Sequence, residues 1–275
     1  MKVLIPMAGA GNRFVQKGYQ EPKPLIKVND KRIIEYILEV FTEDDDIFFI
    51  CNKTHLLETE MSKILLEIRP DATVLEIDNH KKGPIFTILP FFDLIDDEED
   101  VMVCYCDNPF TWNRKSFFNY VGENRLDGCI LTHTGMHPHT LNSTRMAFLK
   151  IDEESGLLKE IKEKESYTDD PMSEHASTGA YYFSCGKDMK QCFLDCYNKG
   201  INYNGEYYVT LAYNCLVQSG KRIGYHDSEY VTVFGTPEEL QSYQAWHTIL
   251  NSGQVKGEED LLKCYHYWRG FHERK

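Results

Sequence analysis

Along the first hundred residues, short apolar runs rich in β-branched and aromatic side chains alternate with stretches whose apolar positions recur every three or four residues. Residues 3–7, 47–51, 73–77 and 101–106 have the first character, and residues 32–41, 56–68 and 84–94 the second. The first pattern predicts strands and the second helices. Strand, helix, strand, helix is the order of βαβ units in a parallel sheet. Residues 101–106 are apolar almost throughout, as in a strand covered on both faces.

Beyond Cys129 the pattern changes. Strands are predicted at 128–133, 146–151 and 178–183 with polar turns between them, which adds a mixed region to the sheet. Helices are predicted at 188–197 and 207–217. Thr236-Pro237-Glu238-Glu239 supplies an N-cap, a proline at the first helical position and a capping-box glutamate for another. In 258–275, acidic residues at the start and basic ones at the end oppose the helix dipole. Leu261, Leu262, Tyr265, Trp268 and Phe271 there repeat at helical spacing. This amphipathic helix is expected to pack on its own body, with a homodimer contact as the alternative. The expected fold class is α/β, a doubly wound, mostly parallel mixed sheet flanked by helices. It forms one unit, with a first half over 1–127, a second over 128–235 and C-terminal helices over 236–275.

A chain of 275 residues can bury a sizeable core. The net charge is −13 and no Lys/Arg run is long enough to track a phosphate backbone, so no nucleic-acid partner is expected. A small anion remains compatible, because a few cationic groups and backbone N–H groups can converge in one cleft of an acidic protein. The nine cysteines are scattered, several within apolar runs (Cys51, Cys104, Cys106, Cys129), as expected of reduced, buried thiols in the cytoplasm. Neither Cys104/Cys106 nor Cys192/Cys196 has the spacing of a zinc or redox motif. No apolar stretch approaches the ~20 residues of a membrane helix, so no membrane partner is expected.

Candidate chemistry begins where the first strand ends, in Met7-Ala8-Gly9-Ala10-Gly11-Asn12-Arg13-Phe14. A glycine-rich turn after strand one lets backbone N–H groups approach a phosphate. Phe14 stands where a dinucleotide fingerprint wants glycine, and the lysine of a P-loop is absent. Arg13 is nearby, and Lys23 in Glu21-Pro22-Lys23-Pro24-Leu25 is held in a stiff segment by two prolines.

With these motifs the chain resembles the sugar-phosphate nucleotidylyltransferases, the family of the glucose-1-phosphate thymidylyl- and uridylyltransferases, whose signature is G-x-G-x-R-[FL] followed by P-K-P-L. Further motifs follow in family order: Lys82-Gly83-Pro84, Cys106-Asp107-Asn108, Glu163-Lys164, the strand from Thr178-Gly179, Gly205-Glu206 with Thr210 and Asn214, and Phe234-Gly235-Thr236-Pro237-Glu238. The resemblance implies a glycosyltransferase-A-like nucleotidyltransferase fold. It also implies Mg²⁺-dependent transfer of a nucleoside monophosphate from an NTP to a sugar phosphate, with release of pyrophosphate, in cell-surface (capsular) polysaccharide synthesis.

On the matching positions, Met7, Ala8, Gly9, Ala10, Gly11, Asn12, Arg13, Lys23 and Gly83 would bind the NTP. Asn108, Glu163, Lys164, Thr178, Gly179 and Glu206 would bind the acceptor. Arg13, Lys23 and Asp107 would carry the chemistry, with Asp107 on the metal. Val233 and Phe234 stand where family members place a second metal carboxylate; Asp227 is the expected substitute, and the alternatives are Glu229 or a single protein carboxylate completed by phosphate oxygens and water. The NTP remains open among CTP, UTP, dTTP and GTP. The acceptor remains open between a sugar 1-phosphate and a phosphorylated alcohol.

Two rival readings are a nucleotide-sugar-dependent glycosyltransferase and a non-catalytic nucleotide-binding module. The first wants a D-x-D motif after a central strand, whereas Asp44-Asp45-Asp46 precedes one. His133, His137 and His139 lack an anchoring carboxylate or cysteine, and Pro138 breaks helical spacing, so they are expected to be loop residues and not metal ligands.

Overall fold

The computed structural model describes residues 1–135, 146–253 and 259. His137, His139 and nearly all of the expected 258–275 helix lie outside them. The chain opens with β1 (Lys2–Met7), the short helix α1 (Asn12–Gln16), a ribbon of β2 (Lys27–Val28) and β3 (Lys31–Arg32), and α2 (Ile33–Leu38). It continues through β4 (Asp46–Asn52), α3 (Lys53–Glu58), α4 (Met61–Ile68), β5 (Thr73–Ile77), α5 (Gly83–Ile88), β6 (Val101–Cys104) and α6 (Arg114–Glu123). The second half supplies β7 (Gly128–His133), β8 (Ala147–Ile151), β9 (Leu158–Glu163), β10 (His175–Phe183), α7 (Gly186–Asn198), α8 (Val209–Gln218), β11 (Ile223–Asp227) and α9 (Pro237–Asn251).

Both halves contribute to one nine-stranded sheet of order β11-β7-β10-β6-β1-β4-β5, with β8 and β9 attached through β10. The β1–β4, β1–β6, β4–β5 and β7–β11 pairs are parallel. β10 runs antiparallel to β6, β7 and β8. Alternation along the strands sends their side chains to two cores. Leu4, Phe48, Ile50, Val101 and Val103 pack with α5, α7 and α8 on one face. Val3, Ile5, Met7, Phe49, Met102 and Cys104 pack with α2, α4 and α6 on the other. A third, smaller core joins Phe14, Ile26, Val28 and Ile33 to Phe234 and Leu240. Burying one such aromatic or aliphatic side chain stabilises by ~1.5–3 kcal/mol, so this cluster fixes the N-terminal loops against the start of α9.

Three elements depart from the periodicity. The expected helix at 56–68 is two helices, because Thr59 is extended (φ −135, ψ 169) and ends the first, its Oγ1 accepting from Met61 N at 3.2 Å. The expected helix at 84–94 ends at Ile88 and continues as a 3₁₀ turn, Leu89–Leu94, where Pro90 cannot donate to the ladder. β9 is not among the strands expected from the sequence, because Lys159 and Glu160 face solvent while Leu158, Ile161 and Glu163 face inward and no simple alternation results. The described cysteines are free thiols, all buried but the half-buried Cys185. No helix among the described residues is long and apolar enough to cross a membrane.

Candidate active site

Parallel sheets place ligands outside the C-terminal ends of their strands. The main cleft lies there, at the ends of β1 and β6, with a volume of about 550 Å³, within the usual range for small-molecule sites. Residues 7–14 form one wall. Gly11 takes the left-handed conformation (φ 64, ψ 26), and its carbonyl accepts from Phe14 N at 2.9 Å and Val15 N at 3.2 Å, which turns the chain from strand into α1. Phe14 is buried in the third core, which leaves Arg13 exposed at the cleft.

Lys23 begins a 3₁₀ turn closed by Leu25 N donating to Pro22 O at 2.8 Å, and Leu25 and Ile26 anchor that turn in the core. Its Nζ lies 2.5 Å from Asp107 Oδ2, with side chains 22% and 19% exposed. Burial pulls the Lys23 pKa down and Asp107 more than offsets it, so the net direction is up. Asp107 follows β6, and its carbonyl accepts from Phe234 N at 2.7 Å. That bond and the Phe110–Val231 bridge hold the Asp107 loop beside Gly235 and the N-terminus of α9.

The far wall carries a second charged group. Glu163 is 9% exposed and accepts from Thr210 Oγ1 at 2.7 Å. Burial pushes its carboxyl up to about 6, against the opposing pull of Thr210 and Lys164. Lys164 sits in the left-handed region (φ 58), a conformation that costs a non-glycine residue energy. It donates to Tyr208 OH at 2.5 Å, and Tyr208 in turn donates to Glu206 Oε2 at 2.7 Å. Burial and then Glu206 push the Tyr208 phenol up, which keeps it a donor.

Between the walls, Gly179 (φ 88) lets Asn108 approach: a Cβ there would meet Asn108 Nδ2 at 2.9 Å. Gly83 (φ 83) lies against Tyr207, with which the flanking residues exchange backbone bonds, Tyr207 N to Lys82 O at 2.8 Å and Ile85 N to Tyr207 O at 3.0 Å.

Two expected site residues are elsewhere. Thr178 is fully buried and donates to Leu131 O at 3.1 Å, because strand alternation turns it into the core while Ser177 and Gly179 face the cleft. Asp227 accepts from Thr132 Oγ1 at 2.6 Å, has His175 Nδ1 at 3.0 Å, and does not line the cleft with Asp107. His133 is a buried β7 residue, not a loop residue. The cleft also gathers Tyr105, Ser177, Tyr208, His80, Thr87 and Glu239, which the sequence reading did not single out as site residues. Tyr208 stood two residues after Glu206, the one signal that could have found it.

Residues 3–164 match the MobA-like NTP transferase domain, and the chain belongs to that family. Its sequence is 25% identical over 225 residues to the bifunctional protein GlmU of Clostridioides difficile, covering 81% of this chain. The match spans 46% of that relative, about half its length. The nucleoside-diphosphate-sugar pyrophosphorylase of Vibrio cholerae superposes with a TM-score of 0.66 at 21% identity, covering 88% of this chain and 99% of that one. The UTP-bound UGPase of Acinetobacter baumannii gives 0.64 at 16% identity, covering 90% and 93%. These likenesses establish the nucleotidyltransferase fold.

Proposed function

We propose that the protein transfers a nucleoside monophosphate from an NTP to a sugar 1-phosphate or similar phosphomonoester, giving an activated nucleotide sugar and pyrophosphate. The observation that carries this reading is the pairing, across one cleft, of Arg13, Lys23 and Asp107 with Glu163, Lys164 and Glu206. The GlmU, pyrophosphorylase and UGPase likenesses point to the same chemistry.

The acceptor phosphate is already an anionic nucleophile, so the step needs no general base. One of its oxygens bonds to the α-phosphorus while the bond from that phosphorus to the bridging oxygen of the β-phosphate breaks. The electron pair leaves with pyrophosphate. The barrier is charge and alignment, and the site supplies electrostatic stabilisation and positioning. N–H groups of residues 8–12 and the Arg13 guanidinium bind the β- and γ-phosphates. Lys23 offsets charge at the α-phosphate. Lys164, locked by Tyr208, binds the acceptor phosphate, and Glu163 and Glu206 accept from its hydroxyls.

Asp107, a hard carboxylate that lines the cleft after β6 together with residues 7–14, suits a hard divalent cation. Bound there, Mg²⁺ would neutralise phosphate charge. A reaction that consumes an NTP is expected in the cytoplasm. The test is pyrophosphate release with Mg²⁺ across NTPs crossed with sugar 1-phosphates and phosphorylated alcohols. Turnover by one pair supports the reading, and NTP binding without release by any pair favours a non-catalytic module.

A further inference from the structure

We propose that Thr210 and Asn214, on one face of α8, are positioning residues for the acceptor: Thr210 holds the Glu163 carboxylate in place and Asn214 holds the strand that carries it. The inference rests on the nucleotidyl-transfer reading above. Glu163, Lys164, Glu206 and Tyr208 line the cleft, whereas Thr210 and Asn214 stand behind them. The two therefore act through other side chains.

Thr210 and Asn214, one helical turn apart, share a face of α8, and Ile161 and Glu163, two positions apart, share the inward face of β9. The two faces meet at two points. Among the described residues β9 pairs only with β8, so its other edge has backbone groups to satisfy, and Ile161 there is 1% exposed. Asn214 satisfies both: Ile161 N donates to its Oδ1 at 2.9 Å, and its Nδ2 donates to Ile161 O at 2.8 Å. Thr210, itself fully buried, donates from Oγ1 to Glu163 Oε2 at 2.7 Å. The same helix follows directly on Glu206 and Tyr208, and Tyr208 holds Lys164. One helix start thus sets the four acceptor groups on a common frame. Lys164 in its left-handed conformation (φ 58) is what such a frame sustains, its N donating to Met146 O at 2.9 Å while its Nζ reaches Tyr208.

A hydroxyl that donates to a carboxylate also favours its ionised form. Glu163 is faced by Lys164, with Nζ 3.9 Å from Oε1, by Glu206, and by the phenols of Tyr105, Tyr181 and Tyr208, which burial pushes up and keeps neutral. Burial and Glu206 favour the protonated acid, and Thr210 and Lys164 oppose them. In the proposed function Lys164 is given to the acceptor phosphate. That leaves Thr210 to keep Glu163 a carboxylate that can accept from an acceptor hydroxyl.

The test follows the Glu163 carboxyl itself, by nuclear magnetic resonance of the full-length protein with isotope-labelled glutamate carboxyl carbons, the Glu163 signal being identified by its loss in Glu163→Gln. Thr210→Val keeps the shape and removes the hydroxyl, and it should move the Glu163 midpoint above the wild-type value of about 6. Thr210→Ser should restore it. With the substrate pair that releases pyrophosphate, Thr210→Val should raise the acceptor KM by about tenfold or more at neutral pH and change the NTP KM by less than about twofold. The acid limb of the acceptor KM should move to higher pH in step with the titration. Asn214→Ala should raise the acceptor KM without moving that limb. A Glu163 midpoint unmoved in Thr210→Val, acceptor and NTP KM values raised alike, or an acceptor KM unchanged in Asn214→Ala overturns the proposal. Thermal unfolding by circular dichroism checks each variant. If Thr210→Val does not fold, Thr210→Ala replaces it, with the same shift expected and an unmoved midpoint contrary. Failure of the nucleotidyl-transfer reading has a separate signature: release by no substrate pair in wild type contradicts that reading, and the titration then decides the coupling of Thr210 to Glu163 by itself.

Discussion

Lys23 Nζ lies 2.5 Å from Asp107 Oδ2 although 84 positions separate the two residues along the chain. One stands on a proline-braced turn and the other at the end of a central strand. The third core and the Asp107–Phe234 backbone bond hold those two supports together. The pair neutralises itself, and the proposed function gives Lys23 to the α-phosphate and Asp107 to the divalent cation.

Lys23→Ala and Asp107→Ala are each expected to lower kcat by about 10²–10³-fold, the scale of losing one preorganised electrostatic group. Because the two act as a unit, the double variant should be little worse than the poorer single. Asp227→Ala should keep kcat close to wild type. Steady-state pyrophosphate release checks all four, and an Asp227→Ala loss equal to that of Asp107→Ala contradicts the assignment.

Glu163 sets a pH dependence. Its carboxyl is raised from 4.5 to about 6 in the fold, so the native state holds a proton that the unfolded chain releases. Stability therefore falls as pH rises from 4.5 through about 6, by roughly 2 kcal/mol in total at this site. Glu163→Gln should flatten that part of the urea-denaturation profile. The KM for acceptor should rise below about pH 6 as the carboxylate is neutralised. Glu163→Gln should remove that component and leave the contribution of the acceptor phosphate.

Much of this architecture was legible from residues. The apolar runs became β1, β4, β5 and β6, and the glycine turn, Lys23 and Asp107 met in one cleft. What escaped depended on which way a side chain faces. Thr178 shares a motif with Gly179, yet the pleat sends the two to opposite sides of β10. Asp227 ends a strand, as Asp107 nearly does, but β11 is the far edge of the sheet from β5, and its carboxylate meets Thr132 and His175 first.

Gly83→Ala should destabilise the protein by about 1–3 kcal/mol. The residue has φ 83, and a Cβ would sit 2.8 Å from Tyr207 N and 2.9 Å from Tyr207 O. Neither backbone can yield without breaking the 82–85 contact with Tyr207. Calorimetry should show a lowered Tm, and the KM for NTP should rise because His80, Lys81 and Pro84 line the cleft. An unchanged Tm contradicts the close approach.

Asp45 is a structural carboxylate and not part of a metal motif. It is 1% exposed and binds Arg114 through two bonds of 2.6 and 2.7 Å, with the N-terminal ammonium at 3.8 Å. Burial raises its pKa, but Arg114, the Thr42 N–H and the N-terminus more than reverse this, so the net direction is down. Its stabilisation is therefore present above the ordinary carboxylate range and lost as pH falls through the depressed value. Asp45→Ala should cost about 3–5 kcal/mol, as when a buried pair loses one partner, and should weaken the acid dependence of unfolding without changing the KM for either substrate.

The most direct test of the central claim is the pyrophosphate-release screen with Mg²⁺, crossing CTP, UTP, dTTP and GTP with sugar 1-phosphates and phosphorylated alcohols, with Asp107→Ala as control. The account predicts turnover by at least one pair, lost in Asp107→Ala. NTP binding with no release by any pair, or release that survives in Asp107→Ala, would contradict it.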